Sequence, residues 1–243
     1  MENEQNVVTE AAQTNAENAV QAIQPAQIDA TAQKGKKKGG KGGILGWLLI
    51  LAAGIGVAVW LLFFNYQPTF SVDGQEFKMK NGVEAIYKAG LVLAYSDGSI
   101  VDEDTFSILP NTLYNVTYEV CKASNGKVTA KTGIRVKVFN SASNRKAIKN
   151  CEIYSITYTP EFADAGVTVL VNGQDFSKVS RSTAKDLCKA AKMQFKAKDL
   201  DGFASGSDSV VSASSSAFRW TIEESQGTIH LTFTKNNVKI NYK

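Results

Sequence analysis

Apolar and polar residues alternate in three distinct ways along this chain. Residues 44–64, ILGWLLILAAGIGVAVWLLFF, carry no charge over 21 consecutive positions. As a helix they would reach ~31 Å, the thickness of a bilayer's hydrocarbon layer. A buried soluble helix normally shows a polar face, and this segment has none. It is therefore expected to be one transmembrane helix. Trp47 and Trp60 sit near its two ends, where indole rings favour the membrane interfaces.

Beyond Pro68 the period falls to two. The segments 116–122 (VTYEVCK), 134–140 (IRVKVFN), 152–159 (EIYSITYT), 166–173 (GVTVLVNG) and 228–234 (TIHLTFT) alternate as strands do. Asn125-Gly126, Asn172-Gly173 and Asn236-Asn237 supply turn signals between them. Two stretches read as helices. Residues 81–90 place Val83, Ile86 and Tyr87 on one face before Gly90. Residues 182–194 begin at Ser182 and put Ala184, Leu187, Cys188 and Ala191 on one face. Strand outweighs helix, and the expected class is α+β, mostly antiparallel.

An internal echo divides this region. VDGQEF at 72–77 is repeated as VNGQDF at 171–176, and the helices that follow align at nearly the same offset. The expected organisation is two α+β lobes, 65–160 and 161–243, behind the 44–64 span.

The chain has 243 residues, 44% hydrophobic and 21% charged. Residues 1–33 hold five acids (Glu2, Glu4, Glu10, Glu17, Asp29), no base and no aromatic, and read as a disordered tail. Residues 34–43 form a basic juxtamembrane linker with Lys34, Lys36, Lys37, Lys38 and Lys41. These five lysines cancel the five acids, so the rest of the chain carries the whole net charge of +4. That balance demands no nucleic-acid face. A lysine collar on the amino side of the span, with no charge beyond it before Asp73, places the N-terminus in the cytoplasm and residues 65–243 outside. The collar also suits anionic lipid headgroups. The apolar segment is too long for a cleaved signal peptide and lacks a small-x-small site after Phe64, so it reads as a signal anchor. Ala52 with Gly56, and Gly54 with Ala58, have the spacing of a homodimer contact through the span. The run 35–42, GKKKGGKG, is half a phosphate-binding loop; Gly42 follows Lys41 where a hydroxyl is needed.

Candidate chemistry is sparse. One histidine and three cysteines exclude multi-histidine and four-cysteine metal sites. No cofactor is indicated and no catalytic residue stands out. Cys121 and Cys151 end and begin strands thirty residues apart. On the oxidising side of a membrane they are a candidate disulfide worth ~3–4 kcal/mol, with two buried free thiols as the alternative. Cys188 reads as core. His230 points away from the face of Ile229, Leu231 and Phe233, toward solvent with Thr232 and Thr234. Asp97, Asp102, Glu103 and Asp104 cluster as acids can for calcium or acid–base work, without EF-hand order. The run 204–216, ASGSDSVVSASSS, reads as a mobile connection.

The string VFNSASNRKAIKNCEIYSI (138–156), then VTVLVNG (167–173) and STAKDLCKAA (182–191), resembles a family of uncharacterised secreted or membrane-tethered proteins of Gram-positive bacteria. The second half is more distantly similar to the helix-plus-strand units of β-lactamase inhibitory protein and of small outer-membrane lipoproteins. The resemblance implies an antiparallel α+β fold and an envelope location, and it names no active residue. Ser155 stands where the family pattern has glycine, and Ser141-Ala142 replace its proline-bearing turn. The reading that follows is an anchored envelope protein whose outer part is a non-catalytic module for a protein or cell-wall partner. A subunit of a multiprotein envelope complex comes second, and a tethered hydrolase third.

Overall fold

The computed structural model describes residues 67–238 and the strand Asn241–Tyr242. The tail, the lysine collar, the 44–64 span, Trp47 and Trp60 lie outside the described residues. Among those described, no helix is long and apolar enough to cross a membrane.

The two echoed strings form two matching hairpins. Strands β1 (Thr69–Val72) and β2 (Gln75–Lys78) join through Asp73-Gly74, both at positive φ (48° and 86°). Further along the chain, β9 (Val169–Val171) and β10 (Gln174–Asp175) join through Asn172-Gly173, at 49° and 77°. Asp and Asn tolerate this left-handed region, and the paired positive angles suit the twist of a tight hairpin. The hairpins then pair with each other, Phe70 opposite Val171 and Val72 opposite Val169, in a four-stranded sheet ordered β10-β9-β1-β2. The apolar positions of the echo, Val72 and Phe77 against Val171 and Phe176, are all buried.

Each hairpin leads toward a helix. The first leads to α1 (Glu84–Lys88), which buries Ile86. The second leads to α2 (Arg181–Ala190), which buries Ala184 and Cys188. The start of α2 differs from the sequence expectation, because Ser180 and not Ser182 is its cap. Ser180 accepts from the Thr183 amide at 3.3 Å, and its own amide donates to Thr183 Oγ1 at 2.9 Å. A third helix, α3 (Ala197–Ser205), ends at Gly206 in the left-handed conformation.

Among the described residues the large sheet has eight strands. They are β3 (Leu91–Ala94), β5 (Thr112–Ser124), β6 (Lys127–Asn140), β8 (Glu152–Ala163), β11 (Val210–Ser214), β12 (Phe218–Ser225), β13 (Thr228–Lys235) and β14 (Asn241–Tyr242). Their order is β11-β12-β13-β8-β6-β5-β14, with β3 also on β5. Among the described residues only β14 pairs in parallel. A separate two-stranded ladder joins β4 (Ser107–Ile108) to β7 (Lys146–Ala147). Among the described residues 48% are strand and 17% helix, in keeping with the α+β expectation.

Two expectations are corrected here. The halves do not part into lobes, since the boundary at 160/161 falls inside β8, and both sheets mix strands from the two halves. A sheet edge left open by one half is closed by pairing with the other, which satisfies backbone groups that a separate lobe would expose. The serine-rich run 204–216 is not a mere connection either. Its central residues form β11, paired with β12 through Val211 opposite Ile222. Val211 is buried against that sheet, which decides the strand over its polar neighbours.

One apolar face of the large sheet meets the helices and the small sheet. Tyr118, Val136, Ile156, Trp220, Leu231 and Phe233 belong to a single core with Ile86, Cys188 and Phe203 of the helices. Phe70 of the small sheet meets Phe233 of the large one edge to face, centroids 5.5 Å apart. The opposite face of the large sheet is uncovered by these elements.

Candidate functional site

Strand pleating sends every second residue to the uncovered face, and the register aligns them into rows across six strands. One row runs Ser212, Thr221, Thr232, Thr157, Arg135, Glu119. The next runs Ser214, Arg219, Thr234, Ser155, Lys137, Thr117. Hydroxyls in the first row bond along it, Ser212 Oγ to Thr221 Oγ1 at 3.0 Å and Thr157 Oγ1 to Thr232 Oγ1 at 3.1 Å. The result is a hydroxyl-rich surface with Arg135, Lys137 and Arg219 set into it.

An irregularity beside these rows shapes the surface. Ile134 pairs with Tyr158 and Thr132 with Ala163, so Gly133 alone on β6 opposes Thr159–Phe162 on β8. The extra residues of β8 arch outward, and Pro160 within the arch has no N–H to leave unpaired. Gly133 sits at φ 74°, and a Cβ there would come within 2.5 Å of the Thr159 carbonyl oxygen. Only glycine fits.

The arch carries Thr159 and Phe162 over the face. Thr159 is fully buried there, with its Oγ1 2.8 Å from His230 Nδ1 and reached by Arg135 Nη2 at 3.5 Å. Arg135 Cζ lies 5.0 Å from the Phe162 ring centroid, and His230 meets the same ring at 6.5 Å. His230 does face away from the core, as its strand position predicts, but it is half-buried rather than solvated, because the arch covers it.

Between β5, β6 and β8 the face dips into a hollow of ≈ 210 Å³ lined by Thr117, Arg135, Val136, Lys137, Ser155 and Thr157. Arg135 lines it while its guanidinium turns to Thr159 and Phe162, and its Nε is buried with no hydrogen-bond partner among the described residues. Ser155 is only 9% exposed. Among the described residues, its hydroxyl, that of Thr117 and the Lys137 ammonium make no hydrogen bond or ion pair. The neighbouring acid, Glu119, already pairs with Lys131 at 2.8 Å. A larger hollow, ≈ 480 Å³, lies beside Lys80, Glu84, Lys149 and Glu152. Most of its charges are neutralised, Glu84 by Lys88, Lys149 by Asp104 and Glu152 by Lys235. Among the described residues, Lys80 and Lys146 are unpaired there, but Glu84 and Glu152 share the lining, whereas the hollow at Arg135 has no carboxylate in its lining.

The other sequence candidates are accounted for locally. The Cys121–Cys151 bridge is not formed, and all three cysteines are free and buried. Cys121 opposes Lys131 on β6, whereas Glu152, next to Cys151, opposes Phe139 on the same strand. Eight residues of strand separate those levels, about 26 Å at ~3.3 Å each, against the ~7 Å that a disulfide spans. Burial pushes the Cys121 and Cys151 thiols up to about 11 and Cys188 to about 12, far from a reactive thiolate. In the acidic cluster, Asp97 accepts from the Ser99 hydroxyl and amide, and Asp102 from the amides of Asp104 and Thr105. Asp104 pairs with Lys149. These turn contacts hold Asp97 and Asp102 below the usual carboxylate range. No group of three or more His, Cys, Asp or Glu among the described residues is placed to hold a metal.

The sequence assigned no function to any residue at the hollow, and marked Ser155 only as a departure from a family pattern. The signal was present in IRVKVFN, where two cations occupy alternate positions of a strand and so share its outer face. No family model, no curated protein and no solved structure matches this chain.

Proposed function

We infer that this chain is a single-pass envelope protein, anchored by residues 44–64 with its N-terminus in the cytoplasm, and that its outer part is a non-catalytic binding module. The open face of the large sheet is the recognition surface. The observation that carries this reading is the pair of polar rows crossing six strands on the face left bare by the helices. Ordered hydroxyls held at strand spacing offer donors and acceptors to an extended, polar partner at little entropic cost. The lysine collar and charge-free span support the orientation. Two echoed hairpin–helix units, the traces of an internal repeat, form the scaffold behind the face. The partner that suits it is a cell-wall polymer.

Full-length protein in neutral detergent, mixed with purified Gram-positive cell walls, tests this. Wild type should sediment with the walls. Thr232→Arg, which raises a bulky charge at the centre of the face, should lose binding, and Lys189→Glu on α2 should not. Equal binding by all three, or by none, would refute the recognition face. Protease added to protoplasts should remove residues 65–243 and spare the tail.

A further inference from the structure

The hollow between β5, β6 and β8 is lined by two cations and three hydroxyls and by no carboxylate. We propose that it is an oxyanion site that takes a phosphate group carried by the polymer on the open face. This rests on the reading of that face as the recognition surface.

The argument is one of unmet valence. Arg135 Nε–H is buried without an acceptor. Such a donor costs free energy where it stands, and relief needs the Arg135 side chain to turn an N–H toward the hollow. Phe162 and Thr159 hold its guanidinium until then. Lys137 projects from the same strand face two residues on, unpaired among the described residues. Ser155 adds a hydroxyl at 9% exposure, and Thr117 another at the rim. Glu119, the acid opposite Arg135, forms an ion pair with Lys131 at 2.8 Å, and its buried Oε2 accepts no hydrogen bond of good geometry. Two positive charges are therefore uncompensated around one concavity.

The geometry favours phosphate over carboxylate. A carboxylate offers two coplanar oxygens and is satisfied by one edge of a guanidinium. Here the donors come from three strands and surround the hollow. A tetrahedral group can give separate oxygens to Arg135, Lys137 and Ser155. The Arg219 side chain, on the same row as Lys137 but three strands away, would meet a later phosphate of a repeating chain.

The test uses the full-length chain in neutral detergent, titrated with inorganic phosphate at constant ionic strength, with acetate as the planar control. Phosphate should raise the unfolding temperature and acetate should not. Lys137→Gln and Ser155→Ala should each weaken phosphate by about tenfold while unfolding normally in chloride. Phosphate no better than acetate, or unaffected by both substitutions, overturns the site. Walls stripped of phosphodiester polymers supply the second arm. Wild type should bind stripped walls no better than Lys137→Gln binds intact ones. Stripped and intact walls held equally, with inorganic phosphate still bound, would make the ligand free phosphate and overturn the polymer assignment. Failure of both arms while Thr232→Arg still abolishes wall binding would sink the anion site and leave the recognition face standing.

Discussion

The Arg135 guanidinium lies 5.0 Å over the ring of Phe162, a side chain that is 48% exposed. An exposed aromatic on an arch has little to do for the core. Here it serves as the platform that orients a cation. Phe162→Ala should therefore cost only about 0.5–1 kcal/mol of stability, the worth of an exposed cation–π contact. Urea unfolding measures it, and a loss above ~2 kcal/mol would show that the ring supports the fold itself.

Gly133 makes the arch possible. Gly133→Ala should destabilise by about 2–4 kcal/mol, since the new methyl group meets the Thr159 carbonyl at 2.5 Å and the positive φ is strained for alanine. Gly126 has a similar φ of 71° with nothing within 4 Å of a Cβ. Gly126→Ala should cost about 1 kcal/mol. Denaturant midpoints for the two variants separate steric from purely conformational cost. Equal losses would mean that β8 does not close on Gly133.

Asp73 ties the first hairpin to two other parts of the chain. Its carboxylate accepts from Lys122 Nζ at 2.7 Å and from the Thr168 amide at 2.8 Å. The Lys122 ammonium, then the Thr168 amide, hold its carboxyl below the ordinary 3.8. A depressed folded value means that its contribution is complete above about pH 4 and fades as the pH falls through the folded value. Asp73→Asn keeps the turn, because asparagine accepts positive φ, and should cost no more than ~1 kcal/mol at pH 7. The gap between wild type and variant should close in acid. A gap that widens below pH 4 would contradict the assignment.

The buried thiols make an opposite forecast. Their folded values near 11 and 12 exceed the unfolded 9.0, so their contribution is full below pH 9 and is lost as the pH rises past 11. Native protein at pH 8 should resist alkylation, and unfolded protein without reductant should take three labels. One label would reveal a bridge and refute the register that separates Cys121 from Cys151.

Strand existence was legible because apolar alternation reports one buried face, and the core strands of IRVKVFN, EIYSITYT and TIHLTFT all lie in the large sheet. The second hairpin was legible from Asn172-Gly173, and the first only through the echo of VDGQEF in VNGQDF. Three features were not. Strand β11 is nearly all serine, alanine and valine, and only pairing with β12 decides it. Helix α3 has a glycine at its centre, Gly202, a poor helix former that tertiary packing of Leu200 and Phe203 overrides. The hollow joins Thr117, Arg135 and Ser155 from three strands, and register across strands is invisible in a linear pattern. The echo was legible, yet its meaning was not. Two similar hairpins can form two lobes or one shared sheet, and edge pairing between Phe70 and Val171 selects the sheet.

The most direct test places a photo-crosslinking amino acid in the full-length protein in living Gram-positive cells. It is introduced at Thr221 or Thr234 on the open face, or at Lys189 on α2. Face positions should couple the protein to wall material and the α2 position should not. Wall adducts from Lys189 alone, or from none of the three, would contradict a recognition surface built on the open sheet.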